Sequence, residues 1–333
     1  MKISYHTHYG GLDITQGYGV AGFSIVEAMN KLGIETPFNV SADVAPVSFN
    51  FTQPSYYQFN EGQYIIGYTP WESTKLQDNW ANLMNMCDEV WTTSDWCEQV
   101  FKDNGVTKPL KVFEHGIDHM WSPSRRVTAS SRNKVLRFLH VGEPASRKGG
   151  QMVFDAFVEL FGNDPSYSLT IKANGISSVR AKLPDQSIAP PDEVYNNVFL
   201  RNQLVSREQL VQIYKAHHVL VYPSWGEGFG FIPLEAMASG MPVIFNTTWA
   251  PYRRFSVGLD IADRLIDTVQ ENDHPGQMLE PNFESLKEQM QRAADDFETF
   301  SEQAFKFAPR IHHDYDWTRL TQKAFAPIVK KFA

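Results

Sequence analysis

The stretch from Tyr222 to Ile244, YPSWGEGFGFIPLEAMASGMPVI, constrains this chain more than any other. An apolar run ends at Pro223, and Gly226, Gly228 and Gly230 strip side chains from the turn that follows. A helix is then expected from about Ile232, with Pro233 suited to its first turn and Gly240 to its C-terminal cap. A helix N-terminus carries unsatisfied N–H groups and partial positive charge, so it attracts an anion. Gly228 and Gly230 would let that anion approach the backbone. Glu227 and Glu235 flank the turn with seven residues between them. A carboxylate repels a phosphate but accepts two hydrogen bonds from vicinal hydroxyls. Phosphate at the helix start, with a sugar ring held by a Glu on each side, describes a well for a nucleotide sugar.

Strand and helix patterns alternate through the rest of the chain. Residues 2–5 read as a strand and 9–19 as a glycine-rich loop. Phe23, Ile25, Val26, Met29 and Leu32 then recur at helical spacing up to Gly33. Strands at 63–68, 89–93 and 110–114 alternate with helices at 75–87 and 95–104. Residues 122–134 hold no acid and little apolar content, which reads as a linker. The alternation restarts with strands at 135–141, 168–173, 198–201, 219–223 and 241–245, and helices at 151–161, 207–217, 232–239 and 283–305. An amphipathic helix is expected at 317–332. The pattern predicts an α/β fold with a parallel, doubly wound sheet in each of two domains. A length of 333 residues supports about two domains. The expected division is 1–123 for the first, 124–134 for the linker and 135–316 for the second, with closure about the linker.

Composition narrows the function classes. Thirty Lys and Arg against 38 Asp and Glu give a net charge of −8, which argues against binding nucleic acid through bulk positive charge. Cys87 and Cys97 are too few for a disulfide framework and fit a reducing compartment. Residues 1–6 are too poor in apolar length for a secretory signal, and no apolar run reaches a membrane span. A cytoplasmic protein without stable membrane insertion is expected.

The motif EGFGFIPLEAMASGMPVI resembles the signature of retaining GT-B glycosyltransferases, specifically glycosyltransferase family 4. The likeness extends to Glu208–Tyr214 and Val219–Ser224 before the motif, His140-Val141-Gly142 with Lys148-Gly149, residues 89–94, His115-Gly116-Ile117-Asp118, Gly17-Tyr18-Gly19 and Tyr315-Asp316-Trp317. It implies two Rossmann-like domains facing a cleft, with the C-terminal helix, 317–333, crossing back onto the first domain. It also implies a nucleotide-sugar donor, with UDP the commonest choice in the family. By this resemblance Glu235 would bind the ribose hydroxyls, Leu234 beside it would also belong to the donor-binding set, and Glu227 would hold the transferred sugar. Lys148 would neutralise the diphosphate, the N–H groups of Gly228, Phe229 and Gly230 would complete the cradle, and Gly17 or Gly19 would approach from the other domain. The family's mechanism is front-face substitution with retention, consistent with the absence of an evident side-chain nucleophile.

Two positions depart from the family pattern. An Arg usually follows the glycine of the second-domain phosphate loop; here that position is Glu143, and Arg147 is expected to substitute. Many members place a His at the end of a first-domain strand, whereas here Thr69-Pro70-Trp71-Glu72 stands there. Glu72 is therefore a candidate acceptor-side base or sugar ligand, with Trp71 and His115 as further acceptor candidates. A basic stretch, Arg125, Arg126, Arg132, Lys134 and Arg137, is either a solvated hinge or a contact for a polyanionic acceptor such as DNA carrying hydroxymethylated bases. Phage DNA-modifying glycosyltransferases act on such DNA, and for a viral protein the compartment would be the host cytoplasm. Tyr252 and Arg253 border the expected cleft and are the last acceptor candidates. The acceptor stays open between glycan, lipid head group, small molecule, protein and modified DNA base.

His6 with His8, and Asp314-Tyr315-Asp316, have metal-like spacing, but a cleft or core histidine and a helix cap explain them better. Neither a metal nor a cofactor beyond the nucleotide sugar is expected. The alternatives to a retaining transferase are a noncatalytic nucleotide-sugar-binding module and an inverting or phosphorylase-like GT-B enzyme.

Overall fold

Two parallel sheets, each flanked by helices, face one another across a cleft. The computed structural model describes residues 1–7, 17–127, 135–143, 145–268 and 272–332. The first sheet contains β1 (Ile3–His6), β2 (Val47–Phe51), β3 (Tyr64–Tyr68), β4 (Glu89–Thr92) and β5 (Leu110–Val112), in that spatial order and all parallel. Its helices are α1 (Gly17–Lys31), α2 (Trp80–Met84) and α3 (Asp95–Asp103). The second half begins with β6 (Leu136–Glu143), α4 (Gly150–Phe161) and β7 (Tyr167–Ala173). A small hairpin of β8 (Ala181–Lys182) and β9 (Ile188–Ala189) follows, then α5 (Pro191–Val194), β10 (Val198–Arg201) and α6 (Arg207–Ala216). Next come β11 (Val219–Tyr222), α7 (Phe231–Ala238) and β12 (Val243–Phe245). The chain continues through an antiparallel hairpin of β13 (Asp263–Asp267) and β14 (Gln277–Pro281) to α8 (Phe283–Asp295), α9 (Phe297–Asp314) and α10 (Trp317–Phe332).

The second sheet runs β10-β7-β6-β11-β12. The chain leaves β6 towards β7 on one side and leaves β11 towards β12 on the other. The neighbours β6 and β11 therefore mark the point where winding reverses, and a crevice opens there at their C-terminal ends. In the first sheet, Lys2 and Tyr5 of the β1 region bridge to Glu35 and Phe38 on the side away from β2. β1 is the corresponding reversal point, so both crevices face the same cleft.

The expected elements are largely present, with three informative differences. β2 has no counterpart in the expected pattern because Ser48 and Asn50 make it look loop-like. Both are buried, and Asn50 satisfies itself by donating to Ser48 Oγ at 3.2 Å and accepting from Gln58 N at 2.7 Å. The helix expected over 75–87 shrinks to Trp80–Met84 because the bent segment before it is tied to other parts of the chain. Thr74 N donates to Gln277 O at 2.9 Å, and Leu76 N to Asn104 Oδ1 at 3.1 Å. The helix expected over 283–305 is two helices, broken at Asp296 with φ −127° and ψ 38°.

α10 returns to the first domain. Phe325 packs edge-on against Phe49 and Trp91, with ring centroids 5.1 and 4.9 Å apart. Ala324 and Ile328 join Ile25 and Met29 of α1 in the same buried cluster.

Candidate functional site

The loops after β6 and β11 are pressed together. A Cβ on Gly149, whose φ is +78°, would sit 2.3 Å from Pro223 O, so no L side chain fits there. Trp225 N donates to Arg147 O at 2.9 Å. This fixes the backbone from which Arg147 and Lys148 reach into the crevice.

Both meet Glu227. Its Oε1 accepts from Lys148 Nζ at 2.5 Å, Ser224 Oγ at 2.6 Å, Tyr222 OH at 2.8 Å and Arg147 Nη1 at 3.2 Å. Its Oε2 accepts no hydrogen bond among the described residues. Burial alone would raise the Glu227 carboxyl, but Lys148 and Arg147 outweigh it and hold the group at about 2. Burial, then repulsion from Arg147, brings Lys148 down to about 8 despite Glu227. A fixed carboxylate thus stands beside two cations, one oxygen saturated and the other open.

The first domain closes one wall. Glu72 Oε1 lies 3.4 Å from Arg147 Nη2, and Glu72 Oε2 lies 3.9 Å from His274 Nδ1. A Cβ on Gly226 would fall 2.2 Å from Glu72 O, and one on Gly228 would fall 2.3 Å from Pro70 Cβ. Thr93 Oγ1 donates to Gly228 O across the same seam. Below it, Gln277 N donates to Thr74 Oγ1 at 2.8 Å, and Gln77 Nε2 to Asp273 O at 3.0 Å. The glycines of the motif therefore serve close packing between domains as well as ligand access.

Glu235 projects from α7, buried, on the other side of the turn. Arg207, at the start of α6, places Nη2 3.7 Å from Glu235 Oε1 and 2.5 Å from Asp118 Oδ2. Burial pushes Glu235 up to about 8; Arg207 opposes this, and Asp118 adds to it. Arg207 lies closer to Asp118 than to Glu235, so burial prevails and the Glu235 carboxyl is held well above the usual carboxylate range.

These groups line one cleft of about 730 Å³, together with Gly17, Phe229, Gly230 and His115. His115 is buried flat against Phe231, with ring centroids 5.0 Å apart at 14°, and desolvation pushes it down to about 3. The structure thus gathers Glu227, Lys148, Arg147, Glu72, Glu235, Gly17, Gly228, Phe229, Gly230 and His115.

Other expected residues lie elsewhere. Gly19 is buried in α1 and Leu234 in the core beneath the cleft. Trp71 is an interdomain wall rather than an acceptor contact: its ring packs on Trp80 and His274, and Nε1 donates to Lys75 O at 3.0 Å. Tyr252 is fully buried beneath the glycine turn, its OH donating to Gly230 O at 2.5 Å. Arg253 pairs across the domains with Asp95 at 2.6 Å.

Arg126 itself is not available to a polyanion. It is 3% exposed and donates to His217 O, Ser239 O and Ser239 Oγ. Ser239 caps the far end of α7, about 12 Å of helix from the cleft at 1.5 Å per residue. Arg125 is exposed beside it, and Arg132 and Lys134 lie outside the described residues, as do most of the expected linker and His8. His6 is paired with Asn39 and Tyr56 O, and Asp314 with Arg254 at 3.2 Å. Among the described residues no group of three His, Cys, Asp or Glu could hold a metal ion.

Arg207, Lys172, Asn174, Tyr18, Phe51 and Tyr222 also line the cleft and were not singled out from sequence. Lys172 carried a usable signal, a lone charge near the end of the apolar strand SLTIKA. Arg207 follows the N-cap Ser206, where an exposed cation would be ordinary.

Two Rossmann-like domains facing a cleft, with a terminal helix returning to the first, define the GT-B glycosyltransferase fold. Sucrose-phosphate synthase from Thermosynechococcus elongatus superposes with a TM-score of 0.70 at 15% identity, over 100% of this chain and 99% of that one. The Anabaena protein Alr3699/HepE, solved with UDP-glucose, gives 0.69 at 13% identity over 99% and 100%. A family model, Family 4 Glycosyltransferase in conflict systems, matches residues 92–323, and the chain belongs to that family. Curated relatives include D-inositol 3-phosphate glycosyltransferases. The one from Corynebacterium efficiens is 29% identical over 145 residues, 40% of this chain and 32% of that protein. The one from Mycobacterium sp. (strain KMS) is 39% identical over 151 residues, 42% and 32%. The match spans about a third of the length of these relatives.

Among the described residues, no helix is long and apolar enough to cross a membrane.

Proposed function

We propose that the chain moves a sugar from a nucleotide-sugar donor, a UDP-sugar first among candidates, to a hydroxyl acceptor with retention of anomeric configuration. The carrying observation is the arrangement around Glu227: two cations at 2.5 and 3.2 Å, with Glu235 across the glycine turn. Arg147 and Lys148 supply preorganised positive charge where a diphosphate leaves, and Glu235 offers a carboxyl for a ribose diol. The open Oε2 of Glu227 accepts from the transferred sugar and faces its developing positive charge.

In the proposed step the bond from the anomeric carbon to the β-phosphate oxygen breaks. A bond to the acceptor oxygen forms on the same face. The acceptor proton passes to the leaving phosphate oxygen, so the nucleoside diphosphate departs without a protein nucleophile. No metal is assigned to this step, because Arg147 and Lys148 occupy the charge-neutralising position.

Thermal shifts with UDP, GDP, ADP and their sugars test the donor site. A nucleotide at 100 times its Kd adds about 2.7 kcal/mol of stability. One nucleotide should raise the melting temperature by several degrees, and Glu235→Ala should abolish the shift. No response to any nucleotide refutes the reading. NMR of the anomeric proton in the product then tests retention, and turnover in EDTA tests metal independence.

A further inference from the structure

Charge in the cleft is one-sided. The second domain supplies Arg147, Lys148, Lys172 and Arg207. From the first domain come Tyr18, Val20, Phe51, Pro70, Glu72 and His115, with no Lys or Arg among the described residues. Among the described residues, the only formal charge on this wall is that of Glu72.

The rest of the wall is aromatic. Tyr18 packs on Phe51 at 5.1 Å, Phe51 meets His115 edge-on at 5.9 Å, and His115 stacks on Phe231. His115 is 3% exposed, and neither Nδ1 nor Nε2 has a hydrogen-bond partner among the described residues. An imidazole buried this way stays neutral and offers no positive charge to a ligand.

We infer that the acceptor is an uncharged sugar ring, not a phosphorylated or polyanionic one. This rests on the transferase reading above. A ring can lay an apolar face on Tyr18 and Phe231 while its hydroxyls reach Glu72. A phosphate in the same place would meet a carboxylate, a neutral imidazole and aromatic faces, while the cation beside Glu72, Arg147, is already held by Glu72, Glu227 and Gly226 O. The curated relatives carry a phosphorylated inositol in their name, and residues 1–91, which build most of this wall, lie outside the family match.

The test takes the nucleoside diphosphate that shifts the melting temperature and holds it saturating on the full chain. Saturation-transfer NMR and competition titrations then compare glucose with glucose 6-phosphate, mannose with mannose 6-phosphate, and myo-inositol with an inositol monophosphate. At least one neutral ring is expected to bind, and its phosphorylated partner to bind at least tenfold more weakly. Val20→Arg, which places a cation on the half-buried cleft face of α1, should narrow or reverse that preference, each acceptor being compared at saturating nucleotide. A tighter phosphorylated partner in the unaltered protein overturns the inference, and so does silence from every neutral ring. Both results leave the donor site standing. Failure of every nucleotide to bind overturns the transferase reading and this inference with it.

Discussion

Glu235 makes nucleotide binding depend on pH in a direction that can be worked out. Burial holds its carboxyl neutral up to about pH 8 in the free protein. A ribose diol donates two hydrogen bonds and so selects the carboxylate, and binding must remove the proton. At pH 6.5 the group lies about 1.5 units below its midpoint, a cost of about 2 kcal/mol at 1.36 kcal/mol per unit, or roughly thirtyfold in Kd. Lys148 also titrates at about 8, and its loss of charge weakens phosphate binding above that pH. The informative quantity is therefore the affinity ratio of the unaltered protein to Glu235→Gln, in which Lys148 and the nucleotide's own phosphate cancel. Isothermal calorimetry in buffers of different ionisation enthalpy should show this ratio rising about tenfold per pH unit from 6 to 8 and levelling above. Proton release on binding should approach one at the acid end. Asp118→Asn, by freeing Arg207 for Glu235, should move the midpoint down. A ratio that is flat or falling between pH 6 and 8, without proton release, refutes the reasoning. The same group makes the unliganded fold less stable as pH rises from the ordinary carboxylate range through about 8, and Glu235→Gln should flatten that slope.

Glu72 anchors Arg147 from the opposite domain, so Glu72→Ala should erase the extra affinity of UDP over UMP. Glu72→Gln, which keeps an accepting oxygen, should retain most of it; equal loss in both variants would point to a need for the carboxylate itself. Gly226→Ala places a methyl 2.2 Å from Glu72 O and should lower both the melting temperature and nucleotide affinity, and an unchanged protein would show that the seam yields freely. Arg126→Ala takes the guanidinium donor from His217 O and one of the two donors from Ser239 O, and should cost about 1–3 kcal/mol in urea denaturation. Its substrate preference should be unaltered, and an altered one would restore the ligand-contact reading of the linker.

The glycine turn was legible because its parts are neighbours in the chain. Glu227, Gly228, Gly230 and Glu235 announce strand, turn and helix by spacing alone, and Arg147–Lys148 stand directly before a helix. Residues whose role depends on burial were misread. Tyr252 and Trp71 look like cleft aromatics, yet each donates a hydrogen bond to a backbone carbonyl inside a packed wall. Arg126 looks like part of a basic strip, yet its guanidinium serves the carbonyls at the end of α7. Contacts across long separations left no local trace. The pairing of Thr74 with Gln277 erased most of a helix, and Arg207 gained its place only when α6 met Asp118.

The return of α10 to the first sheet also sets the timing of folding. The wall that carries Phe49 and Trp91 leaves the ribosome about 200 residues before the helix that covers it. At 5–20 residues per second that is roughly 10–40 s with an aromatic face exposed. During that interval the second domain, whose strands and helices are contiguous from 136 to 314, is free to fold first. The nascent chain is thus most vulnerable to aggregation at the half it makes first. Any truncation that removes α10 should strand the first domain rather than trim the second.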